Sequence, residues 1–280
     1  MQMLMADSNA LRHPNLRNFL GASISNKIVI SDLAIIEMRK KQAFKTSQES
    51  LRIASYFPGQ IFLVRPTHEI LEAVIDGERE TDKIFDYPGS VELQQLGVRL
   101  QEMPVDQGLK MQMGELEGVA AKQHRALIEQ VASLESGMID ACNLFSNSEL
   151  AEIRSGVLPS KSTRAKIFEL LRDTVAEFMI KNIDAMPVGR VTFGEIKNTF
   201  SFRYPLCMLI YYVEWVQIGR QRLGEGKSRT NDVVDMQQAA ISTFFNGILS
   251  GDKKLKRVSG SARAILRGWN AYVGQDCEVF

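Results

Sequence analysis

Five carboxylates stand where short apolar runs end or where a helical period begins. Asp7 follows the run Gln2 to Ala6 (QMLMA). Glu37 lies six residues beyond Ser31, the residue that closes a second run, KIVIS. Asp232 and Asp235 open a stretch with helical apolar spacing at Met236, Ala239, Ala240, Thr243 and Phe244. Asn246-Gly247 ends that stretch, Ile248-Leu249-Ser250 reads as a short buried strand, and Asp252 follows one glycine later. In open α/β sheets, ligands gather beyond the ends of strands. Carboxylates collected there repel one another unless a proton or a cation offsets the charge. Acids without His or Cys suit a hard cation that keeps several waters, so Mg2+ is the expected cofactor and Mn2+ the next. Two such ions about 4 Å apart can activate a water and stabilise the leaving oxygen in phosphodiester cleavage. Lys253, Lys254, Lys256 and Arg257 follow the last acid directly, with Arg263 and Arg267 further on, in position to hold a phosphate backbone. An acidic pocket with a basic surround reads as a nuclease.

The elements that must position these acids alternate in type. Ile28, Val29 and Ile30 make KIVIS a strand, and Ile61 to Val64 (IFLV) makes another. Ser31 or Asp32 caps the helix that carries Glu37, with Leu33, Ile36 and Phe44 on its apolar face, and Thr67 caps a helix through HEILEAVI. This β-α-β-α rhythm points to a parallel sheet with helices on its faces. The rhythm stops near Asp76, where an acidic stretch to Asp86 reads as a solvated loop before Pro88-Gly89. Helical signals then dominate as far as Gly226, interrupted by a turn at Pro187-Val188-Gly189 and closed by a return linker at Gly224, Gly226 and Ser228. Residues 1–76 and 228–280 therefore read as one small α/β domain, and residues 77–227 as an all-helical insertion.

Composition narrows the class. The chain has 280 residues, 45% hydrophobic and 24% charged, which is an ordinary globular balance. Net charge is only +1, but residues 219–267 hold ten Lys/Arg against four Asp/Glu, and three of those four acids are Asp232, Asp235 and Asp252. Three scattered cysteines in no metal spacing favour a reducing cytoplasmic setting. No signal peptide is evident, and the most apolar stretch, Pro205 to Ile218, is short for a bilayer and contains Glu214, so no membrane partner is expected. Taken singly, the acids have plain roles: Asp7 as a helix cap, Glu37 as a solvated residue, Asp232 as the N-cap of the Asp235 helix, Asp252 as a turn residue.

Taken in order, they resemble a family. Asp7-Ser8-Asn9 after a first strand, Glu37 six residues after Ser31, IFLVRPTHEILEA, Asp235 at a helix start and Ser250-Gly251-Asp252 after the fourth strand are similar to the PIN domain. The resemblance covers residues 1–76 and 228–280 and implies a small parallel-sheet α/β/α sandwich. It implies a Mg2+- or Mn2+-dependent endoribonuclease, with RNA as substrate and a toxin or anti-phage effector role held by an inhibitory or regulatory partner. A second copy of the chain is a compatible partner too. Asp7, Glu37, Asp235 and Asp252 would be the catalytic metal ligands, supported by Ser8 or Asn9, with Asp232 as an extra or substitute ligand. Ser250-Gly251 departs from the Thr and charged residue that often precede the family's last acid, and the helical insertion is absent from its compact toxins. A metal-dependent DNA nuclease and a non-catalytic interaction module, docking through the apolar 204–223 helix, are the alternatives.

Overall fold

The computed structural model describes residues 1–71, 73–104, 106–131, 134–182, 192–219 and 227–277. Its centre is the β-branched run of KIVIS. Lys27–Ile30 forms β2, and Ile28, Val29 and Ile30 are fully buried, as the middle strand of a sheet covered on both faces requires. Met3–Ala6 (β1) and Ile61–Val64 (β3) pair with it in parallel on either side. Ile248–Leu249 (β5) adds in parallel to the outer edge of β1, while Phe85–Asp86 (β4) adds antiparallel to β3. The sheet order is β4-β3-β2-β1-β5, so the fold is mixed α/β with a mostly parallel five-stranded sheet.

Twelve α-helices are described. Pro14–Ala22 (α1), Asp32–Arg39 (α2), Ala43–Leu51 (α3), Tyr87–Arg99 (α4) and Gln107–Gln130 (α5) precede Leu134–Asn143 (α6), Asn147–Arg154 (α7) and Lys161–Lys181 (α8). Phe193–Ile196 (α9), Phe200–Gln217 (α10), Lys227–Ser242 (α11) and Lys253–Gly268 (α12) complete the set. Alternation along the strands divides them between the two faces. Leu4, Ala6, Ile28 and Ile30 join a core with side chains of α1 to α5. Met3, Met5 and Val29 join the opposite core with side chains of α6 to α8 and α10 to α12. The segment expected as an insertion thus shares both cores with the sheet.

Four local expectations change. Residues 67–75 do not form a helix among the described residues; only Thr67–Glu69 makes a 3-10 turn. Thr67 does not cap, because its N–H and hydroxyl both donate to Asp32. The acidic stretch is not a plain loop. Glu78–Ile84 is a 3-10 helix with Thr81 and Ile84 buried, leading into β4. Finally, α11 starts at Lys227, so Asp232 lies inside the helix and is not its N-cap, and Asp235 does not stand at its start. The Glu37 helix ends at Arg39 and restarts at Ala43, through Gln42 in the left-handed region at φ 49°. The turn at 187–189 and the glycines of the expected return linker lie outside the described residues.

The turn that feeds β5 is heavily braced. Gly247 has φ +135°, which a side chain would strain. Asn246 pairs with β1, accepting from Met3 N at 2.7 Å and donating its own N–H to Met3 O at 2.8 Å. Arg263 of α12 donates to the carbonyls of Ser242, Phe245 and Gly274 at 3.2, 2.7 and 2.5 Å. Gly274 is required there, since a Cβ would fall 2.1 Å from the Phe245 carbonyl oxygen. Fully buried Arg203 of α10 donates to Thr243 and the Tyr272 carbonyl and lies 3.8 Å from the Phe244 ring centre. Burial pushes its guanidinium down to about 9. Each buried acceptor left without its donor costs about 1–3 kcal/mol. Ser242 O keeps the Phe245 N–H and Gly274 O keeps Arg267, so Arg263→Met leaves the Phe245 carbonyl without its donor and should lower the unfolding free energy by roughly 1–3 kcal/mol. Urea denaturation checks this, and an unchanged midpoint would show that the turn holds without it.

Candidate functional site

The chain leaves β1 at Asp7 and β5 at Ser250, side by side. Successive connections run from β1 through β2 to β3 on one side, and β5 lies on the other. The carboxyl ends of β1 and β5 therefore flank the point where strand order reverses, the usual place for a ligand crevice in an open α/β sheet. A cavity of about 230 Å3 opens there, lined by Asp7, Glu37, Asp232, Asp235 and Asp252. All five acids singled out in the sequence meet in it. A larger groove, about 670 Å3, lies elsewhere and is lined mainly by apolar side chains such as Phe168, Leu206, Ile210 and Trp269. It holds no paired carboxylates.

Each acid is positioned by local chemistry. Asp7 N donates to Leu249 O at 3.2 Å, extending the β1–β5 ladder by one residue. Its Oδ1 accepts from Ala10 N at 2.6 Å, and its Oδ2 accepts from the Ser250 hydroxyl. Ser250 Oγ in turn accepts from Asp252 N at 2.9 Å, so one serine ties the two strand-end acids together. Asp252 caps α12, accepting from Lys254 N and Leu255 N at 2.7 and 3.0 Å. Ser31 caps α2, with Oγ 3.2 Å from Ala34 N, and this sets Glu37 on the second turn. Ser8 Oγ donates to Glu37 Oε2 at 2.5 Å, and Lys40 lies 3.6 Å from the other oxygen. Asp232, Asp235 and Gln238 come from successive turns of α11.

The basic run after Asp252 does not act as a single patch. Lys253 is exposed, and Lys256 is half-buried beside Asn9 and His13. Arg257 pairs with Glu214 of α10 at 3.1 Å. Lys254 turns inward. Its Nζ pairs with Asp232 Oδ1 and lies 3.3 Å from Asp235 Oδ2 and 5.3 Å from the centre of the Tyr211 ring. Tyr211 Oη donates to Asp232 Oδ2 at 2.7 Å. Sequence reasoning missed this inward lysine and this tyrosine: one sits in a basic run and the other in an apolar helix, and neither context signals a polar site. Ser250 was legible, as part of the Ser250-Gly251-Asp252 motif.

The donor set suits a hard divalent cation, because it offers carboxylate, hydroxyl and amide oxygens without sulfur or imidazole. Among the described residues, no three His, Cys, Asp or Glu side chains stand together as a ready-made cage. The ammonium of Lys254 lies between two of the acids. No family model, curated protein or solved structure matches the chain. No described helix is long and apolar enough to cross a membrane.

Crowding shows in proton affinity. Burial pushes Asp235 up to about 7, helped by the charges of Asp252 and Asp232 and opposed by Lys254. Burial also raises Asp7, with Glu37 adding to it and bonds from Ser250, Ala10 and Asn9 working against it. For Lys254 burial acts downward, but Asp232 and Asp235 outweigh it and the ammonium is strengthened. The raised carboxyls bind protons more tightly in the folded than in the unfolded chain. Their linkage favours the fold at acid pH, and that contribution is lost as pH rises through about 7. In EDTA, the Asp235→Asn variant should show a flatter decline in stability between about pH 5 and 8 than the parent, by a difference on the order of a few kcal/mol. Parallel slopes in thermal melts of the two proteins would disprove it.

Proposed function

We propose that the protein is a Mg2+- or Mn2+-dependent nuclease acting on RNA, with a PIN-like arrangement of strands and acids. The observation that carries this reading is the meeting of Asp7 and Asp252 at the reversal point of a parallel sheet, with Glu37 and Asp235 facing the same cavity. Asp7, Glu37, Asp235 and Asp252 would hold the metal, which when bound supplies positive charge for the scissile phosphate and lowers the pKa of an attacking water. The chain's own residues do the rest. Ser250 fixes the carboxylate of Asp7, and Ser8 fixes that of Glu37. Exposed Lys253 and half-buried Lys256 would neutralise flanking phosphates. Restraint by an inhibitory protein, in a toxin or anti-phage setting, belongs to the proposal by analogy with the resembled family alone.

The test is cleavage of labelled RNA with Mg2+, Mn2+ or EDTA, using single-stranded and flap DNA in parallel. The parent should cut RNA only with metal. Asp7→Asn and Asp252→Asn should each lower the rate by about 100-fold or more, the scale for losing a group that stabilises transition-state charge, with circular dichroism unchanged. Variants that cut RNA as well as the parent would sink the proposal. Preferential cutting of DNA would move the substrate but keep the site. Absence of both cleavage and any effect of Mn2+ on melting would favour an interaction module, with the groove beside α10 as its surface.

A further inference from the structure

We infer that Lys254 is the second cation of the acidic cavity, an ammonium built into the chain in place of one of two metal ions, so that the site takes a single divalent ion. The inference rests on the metal-dependent reading above and deepens it. Lys254 is tethered on three sides. Its backbone N–H donates to the capping carboxylate of Asp252 at 2.7 Å, which fixes the start of α12. Its ammonium pairs with Asp232 and lies 3.3 Å from Asp235. The Tyr211 ring flanks it at 5.3 Å. Asp232 is then fully engaged, one oxygen on Lys254 and the other on Tyr211, so it docks the lysine and is not a metal ligand.

The opposite half of the cavity is different. Among the described residues, Asp7 and Asp252 make no ion pair, while Glu37 meets Lys40 only at 3.6 Å. Gln238 is 2% exposed and lines the same cavity. One half of the cavity thus has its cation, and the other has oxygen donors. A second dication beside the ammonium would bring like charges to roughly the 4 Å spacing of two-metal sites.

Titration calorimetry with Mn2+, together with the bound Mn2+ counted after gel filtration, tests this on the full chain. The parent and Lys254→Arg should each bind one ion, and Lys254→Met should bind two. A parent that binds two, or a folded Lys254→Met that still binds one, overturns the inference and leaves the metal site standing. No Mn2+ on parent, Lys254→Arg and Lys254→Met alike removes the metal-dependent reading and this inference with it. The parent alone supplies an independent check if Lys254→Met does not fold. Acetylation followed by mass spectrometry should find Lys254 several-fold slower to react than exposed Lys253, with or without saturating Mn2+. Release of Lys254 to the rate of Lys253 on adding Mn2+ overturns the inference.

Discussion

Like charges confined to one small space must be offset, and the structure around the cavity is arranged by that requirement. Five carboxylates share about 230 Å3. Serine hydroxyls, helix-start amides and one inward ammonium each take part of the load, and a raised proton affinity at Asp235 takes more. These devices differ in how they respond to surroundings. A hydroxyl or an amide is a fixed dipole, whereas a proton can be exchanged for another cation. The cavity's charge is therefore adjustable, which is the property that the proposed metal binding draws on.

The long helical segment takes part in this arrangement. Helix α10 supplies Tyr211 to the docking of Lys254 and Arg203 to the turn before β5. Helix α12 supplies Arg263 to that same turn from the other side. Two buried guanidiniums thus grip a few residues, 242–246, which deliver a two-residue strand to the edge of β1. Two residues of ladder could not hold register unaided. The register is instead imposed through side chains that bind backbone carbonyls, and Asp252 inherits its position from them.

Much of the frame was legible. Apolar runs with β-branched residues marked β2 and β3, Asn246-Gly247 marked the turn before β5, and the order of the acids marked the cavity. These signals are local, and the structure keeps them. What was not legible depends on tertiary partners. Thr67 looked like a cap, but its donors are taken by Asp32, thirty-five residues away in sequence. Asp232 looked like a helix start, but α11 reaches back to Lys227 through a polar stretch with no apolar period to announce it. β4 is only two residues long and lies behind an acidic stretch whose composition suggests solvent. Lys254 was hardest, because no sequence rule states which member of a basic run will turn inward.

The pairing of Met3 with Asn246 joins residues 243 apart in a chain of 280. Closing so wide a loop costs entropy that no short-range contact returns, so this contact belongs among the slow, late events of folding. The acids come from both ends of the chain that this closure brings together, Asp7 and Glu37 near one end of the loop and Asp235 and Asp252 near the other. During synthesis the ribosome must release the chain past Asp252 before the acids can meet. A truncated product would carry most of the sheet and most of the helices, and no assembled pocket. Whatever chemistry the cavity supports is thereby confined to molecules extended beyond Asp252.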